Sequence, residues 1–119
     1  MWRITLGVLL TVATAACGSS KTPTTPTPSP TPASVSIPVG ARTLGANSFV
    51  PNPVTVTVGS TVTWANNDTI AHNSISDGGT WNSGNIPPGG TFAFTFQSKG
   101  TFPYKCTIHA GMVGTVVVN

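Results

Sequence analysis

Near the C-terminus, in the stretch YKCTIHAGM, Cys106, His109 and Met112 stand three residues apart among apolar and small neighbours. A thiolate, an imidazole and a thioether crowded into one turn can bind a soft metal ion, supply the nucleophile and base of an enzyme, or simply fill space. The rest of the chain has to decide among these. Charged residues make up 6% of its 119, Glu is absent, and Asp68 and Asp77 are the only acids. Acid–base catalysis therefore has little to work with.

Cys17 falls in the N-terminal segment, so Cys106 is the only thiol of the folded part and has no intramolecular disulfide partner. An unpaired Cys is explained by burial as an inert small hydrophobe, by an intermolecular bridge, by nucleophilic chemistry or by a metal. A catalytic Cys–His pair is usually assembled from distant segments and oriented by a third polar group, which this chain hardly supplies. Structural zinc calls for four Cys, His or carboxylate ligands, and a thioether is a poor one. Copper fits better, because a thiolate, imidazoles and a weak axial thioether make up electron-transfer copper sites. The second imidazole has one source, His72 in NNDTIAHNSISD. A lone loop His is more often solvated than liganded, so an inert Cys106 with a surface His109 and a gap-filling Met112 stays open at this point.

These residues sit among strand-like runs. In PVTVTVG, Val54, Val56 and Val58 share one face; TVTW turns Val62 and Trp64 inward; TFAFTF aligns Phe92, Phe94 and Phe96; GTVVVN puts Val116 and Val118 in phase. This period of two is that of half-buried strands. Gly59-Ser60, Asp77-Gly78-Gly79, Pro87-Pro88-Gly89-Gly90 and Gly100 punctuate them, and helices have no obvious place. The expected class is all-β, two packed antiparallel sheets in a single domain over residues 34–119.

Two segments precede it. Residues 1–16 read as an export signal, with Arg3, a short apolar run and small residues before Cys17. Residues 17–33 alternate Pro with Thr or Ser, a composition that favours extended polyproline II and cannot build a core; some 16 residues at about 3.1 Å each reach roughly 50 Å. The formal net charge of +3 comes partly from Arg3 and Lys21, leaving Arg42, Lys99 and Lys105 against Asp68 and Asp77 in the domain, a net +1. With no basic run, nucleic acid is not an expected partner.

Two blocks carry a resemblance. SFVPNPVTVTVGSTVTWANNDTIAHN, residues 48–73, and GTFPYKCTIHAGMVGTVVV, residues 100–118, resemble the plastocyanin/amicyanin branch of the cupredoxins, the blue copper proteins. The resemblance implies a Greek-key β-sandwich holding one type 1 copper. His72, Cys106 and His109 would form the trigonal plane, Met112 would be the long axial ligand, and Asn73 would tie the two ligand-bearing loops together. His72 would arrive from an earlier strand. Met112 lies three residues past His109, the shorter spacing that resembles amicyanin. Where the family often has Pro, this chain has Ile108, whose backbone N–H is expected to point at the Cys106 sulfur and raise the reduction potential. Ala15-Ala16-Cys17-Gly18 likewise resembles the lipobox of bacterial lipoproteins, although Thr14 departs from it, and implies that Cys17 is acylated.

The function implied is one-electron transfer through Cu(II)/Cu(I) by a monomeric, exported, membrane-anchored protein. Its partners would be redox proteins such as a cytochrome, an oxidase or a reductase on the periplasmic or outer side of a bacterial membrane. The alternative is an exported carrier of one copper ion. Storage would need many more His, Cys or Met. An oxidase or nitrite reductase would need a further copper with its own His ligands, so no enzyme is expected.

Overall fold

The β-branched alternation becomes seven strands in the structure, a computed structural model that describes Gly18, residues 23–26 and residues 29–119. The expected signal peptide, Cys17 and part of the tether lie outside the described residues. No helix among the described residues is long and apolar enough to cross a membrane. The strands are β1 Ala33–Ile37, β2 Val54–Val56, β3 Thr61–Asn66, β4 Ile75–Ser76, β5 Thr91–Thr95, β6 Gly100–Lys105 and β7 Val113–Val118. They form two sheets, ordered β1-β3-β5 and β2-β7-β6-β4, which face each other across the core.

The sheets are mixed, which corrects the antiparallel expectation. β1 pairs parallel to β3, from Ala33 opposite Val62 to Ile37 opposite Asn66, and β2 pairs parallel to β7, from Val54 opposite Val116 to Val56 opposite Val118. Alternation reports which face a strand buries and says nothing of its direction. Because β2 crosses to the other sheet, the chain re-enters beside β1 running the same way. Among the described residues, helical structure is limited to two single turns of 3-10 helix, Ala41–Thr43 and Gly45–Asn47.

The faces match the alternation. Val54, Val56, Val62, Trp64, Phe96, Val116 and Val118 are buried, while Val58, Phe92 and Phe94 are partly buried against the same core. Its centre is a stack of rings around Trp64, with Trp81 at 5.5 Å, Phe92 at 5.8 Å and Tyr104 at 5.4 Å between centroids. Trp81 anchors the second half of this stack, touching Phe94, Phe96 and Phe102, and its Nε1–H donates to Ser74 Oγ at 2.9 Å. Burial pushes the Tyr104 phenol above its ordinary range, so it is a neutral core group and no acid or base. Its cross-strand neighbour is Gly114, where an added Cβ would lie 2.5 Å from Tyr104 Cζ. Glycine is what lets that ring close over β7.

Candidate metal centre

Both ligand-bearing segments leave the same end of the sandwich. β3 terminates in Asn66, a fully buried amide at the next inward position after Val62 and Trp64. A polar residue there closes no apolar layer; it organises the loop beyond. Asn66 Nδ2 donates to the carbonyls of Ile70 at 2.8 Å and Ile86 at 2.9 Å, and its Oδ1 accepts the Asp68 N–H at 3.0 Å. The loop then returns to His72, whose backbone bridges Ile86 in both directions, at 3.1 and 2.7 Å. His72 thus sits in an isolated bridge between β3 and β4 and not in a strand proper, a refinement of the expected placement.

The imidazole of His72 is completely buried. Its Nε2 lies 2.8 Å from Asp68 Oδ2. A carboxylate can only accept, so Nε2 carries a proton, and in the neutral imidazole that leaves the lone pair on Nδ1. Asp68 Oδ1 accepts two more bonds, from Thr69 N–H at 2.7 Å and Gly40 N–H at 3.1 Å. The His72 hydrogen bond, helped by these backbone donors and opposed by burial, holds the Asp68 carboxyl down at about 2.

Cys106 follows the last residue of β6. Its N–H donates to the Met112 carbonyl at 3.1 Å, closing the loop from 106 to 112, and Gly111, with φ of 91°, makes the turn before Met112 that a side chain would strain. Met112 is fully buried. Asn73 joins this loop to the His72 loop: its Oδ1 accepts Thr107 N–H at 2.7 Å and its Nδ2 donates to Thr107 Oγ1 at 2.8 Å. The clamp therefore connects the residue after His72 to the residue after Cys106.

Three donor atoms meet across this clamp. His72 Nδ1 is 3.9 Å from Cys106 Sγ and 3.2 Å from His109 Nδ1, and the three groups lie within 4.8 Å of one another. Two nitrogens 3.2 Å apart can share one ion at the usual metal–nitrogen length of about 2 Å. His72 and Cys106 are buried and His109 is half-exposed, so the cluster opens to solvent on the His109 side. One thiolate and two imidazoles suit copper, whereas a hard cation such as calcium or magnesium wants oxygen ligands.

One expectation fails. The Ile108 N–H makes no hydrogen bond to the Cys106 sulfur; the polar atom within hydrogen-bonding range of that sulfur, among the described residues, is His72 Nδ1. Asn73 draws the start of the loop toward the other segment through Thr107, and Ile108 lies on the outer surface, 47% exposed. Sequence reasoning also missed Asp68 and Asn66. The spacing Asp68-x-x-x-His72 is the signal that was there to be read.

The chain compares with known proteins as this geometry suggests. The profile of the family described as copper binding proteins, plastocyanin/azurin family, matches residues 39–119. A plastocyanin of Scenedesmus fuscus is 37% identical over 87 residues, spanning 62% of this chain and 89% of that protein. Among solved structures, a purple cupredoxin from Nitrosopumilus maritimus superposes with a TM-score of 0.68 at 34% identity, over 73% of this chain and 99% of that one. A variant of amicyanin in its Cu(I) form gives 0.61 at 27% identity, over 72% and 80%. A profile match across most of the folded domain, with relatives that share its sandwich, places the chain in the plastocyanin/azurin family of copper-binding proteins, the cupredoxins, which hold one copper ion.

Proposed function

We propose that the protein is a blue copper electron carrier and not an enzyme, with His72 Nδ1, Cys106 Sγ and His109 Nδ1 as its equatorial ligands and Met112 as the axial one. The observation that carries this reading is the meeting of those three donor atoms, two of them on buried residues and the third on the partly exposed His109. Bound copper supplies a Cu(II)/Cu(I) couple. The chain's part is to keep the ligands in one arrangement for both oxidation states. The Asn73 clamp, the Asp68–His72 bond and the bond from Cys106 to Met112 bind both loops to the sandwich, so little rearrangement opposes the change of charge.

His109 is the port through which an electron enters and leaves, with exposed Ile108 beside it and exposed Val113 following the loop. Leu44 and Val50 are exposed as well, and Asn52 Nδ2 donates to the carbonyls of Ala46 and Val113, which ties the turn between them to the start of β7. Such a surface suits brief docking to a redox protein, a cytochrome, oxidase or reductase. Export, acylation at Cys17 and attachment to a bacterial membrane complete the proposal. Thr31 N–H donates to Ser60 Oγ, and β1 runs from there toward the Asn66 end. The tether thus joins the domain at the pole away from the metal ligands, an arrangement that leaves His109 facing outward from an anchored surface.

Titrating the purified protein with Cu(II) tests the reading. An intense thiolate-to-copper band at one equivalent, narrow copper hyperfine splitting, reversible bleaching by reductant and loss of the band in Cys106→Ala are expected. A colourless complex, or a blue Cys106→Ala protein, overturns it. The carrier alternative makes a different prediction: copper would pass to an apo acceptor faster than an electron passes to an oxidant.

A further inference from the structure

We infer that Asp68 is a positioning residue of the copper centre, fixing His72 in the one tautomer that can present Nδ1 to the metal. This rests on the proposed ligand set and adds a specific atom-level role to it. The reasoning turns on which oxygen of Asp68 faces which donor. Oδ1 is committed to two backbone N–H groups, Thr69 and Gly40, which cannot change sign, and Oδ2 faces His72 Nε2. With both oxygens accepting, Nε2 must donate, so the neutral imidazole keeps Nδ1 unprotonated toward Cys106 and His109. A neutral imidazole free to choose could instead protonate Nδ1, which would block the metal position.

The carboxylate also brings a buried negative charge to the ligand it touches. Among the described residues no Lys or Arg lies within salt-bridge distance of it; Arg42 lines the same surface cavity of about 250 Å³ without pairing to it. A nearby unneutralised anion disfavours adding an electron to the metal, so Asp68 biases the site toward Cu(II). Both effects are removed by one substitution. In Asp68→Asn the amide keeps its oxygen toward the two backbone donors and turns its NH₂ toward Nε2. That NH₂ asks Nε2 to accept, and the proton moves to Nδ1.

Long-range proton–nitrogen correlation spectra of the metal-free protein, at about pH 8 where an ordinary imidazole is neutral, read the tautomer directly. The wild-type protein is expected to show Nε2–H at His72 and the Asp68→Asn protein Nδ1–H. Copper-loaded Asp68→Asn should bind Cu(II) at least tenfold more weakly. Its preference for Cu(I) over Cu(II) should rise tenfold, a potential higher by about 59 mV. A wild-type Nδ1–H tautomer, an unchanged tautomer in the variant or an unshifted potential overturns the inference. The wild-type spectrum decides the tautomer even if the variant fails to fold. If the tautomers behave as stated while wild-type protein gives no blue centre, the ligand assignment fails and the role of Asp68 in setting His72 stands.

Discussion

Replacing Asn73 by Ala separates what the protein does for its ligand loops from what a metal does for them. The side chain makes two short hydrogen bonds to Thr107, at 2.7 and 2.8 Å, from a residue only 8% exposed. A hydrogen bond contributes about 0.5–1.5 kcal/mol net, and a buried donor left without a partner costs about 1–3 kcal/mol. Thr107 is itself exposed, so water can reach its freed hydroxyl and partly its N–H, which puts the loss near ~2 kcal/mol. In a domain of this size each kcal/mol moves Tm by about 4–8 °C, so the metal-free variant should unfold about 8–16 °C lower. The copper-loaded variant should lose more. There the substitution acts on folding and also on copper affinity, because ligand bound to the native state adds its own stabilisation and the clamp spans the neighbours of His72 and Cys106. Calorimetry of both forms gives the two shifts. Equal shifts would make Asn73 a staple of the sandwich with no hold on the ligands, and a fall of less than about 2 °C in the metal-free form would refute the clamp altogether.

Three further outcomes are expected. Gly114→Ala drives a Cβ to 2.5 Å from Tyr104 Cζ and should cost about 1–3 kcal/mol in denaturant unfolding with the copper band preserved; an unchanged midpoint would show that the ring yields freely. The Asp68 carboxyl falls from 3.8 to about 2 in the fold, so its ionised form stabilises the metal-free protein above about pH 4 and this contribution is lost as the pH drops through about 2. Urea midpoints measured across that window should be flatter for Asp68→Asn, and parallel curves would contradict the linkage. Met112→Leu removes the thioether from a fully buried position of matching size, so the blue band should persist with a shifted potential; an identical potential would exclude Met112 as a ligand.

Much of this molecule was legible because strands and soft ligands leave strong local marks. Trp64 and Val62 alternate with threonines whatever sheet they enter, and the types and spacing of Cys106, His109 and Met112 raised the question of a soft metal, which the resemblance then turned into a ligand set. Strand direction was not legible, since β1 and β3 owe their parallel pairing to where β2 crosses, a property of the whole chain. Trp81 lies in a Gly- and Asn-rich stretch without alternation, so its place in the core had no periodic signal. The resemblance implied that Asn73 ties the loops, as its bonds to Thr107 do, whereas the direction of the Ile108 N–H was inferred from a departure from the family, and replacing a Pro frees an N–H without saying where it points.

Asp68 shows most clearly what a sequence hides. In a chain with two acids, its rarity argued against acid–base chemistry, and the same rarity gives it weight at the metal centre. Asp77 pairs with Lys105 across the surface at 3.4 Å, with both side chains about half exposed, where a charge pair contributes little. Asp68 is buried, accepts three hydrogen bonds and touches a fully buried imidazole. The difference comes from Asn66, which ends β3 by folding the following loop onto itself and so carries Asp68 inward against His72. The aromatic stack stabilises the sandwich on one side of this amide, and polar bonds set the donor atoms on the other. Core packing and ligand geometry can therefore be perturbed separately, which is why Gly114 and Asn73 are expected to affect stability and copper so differently.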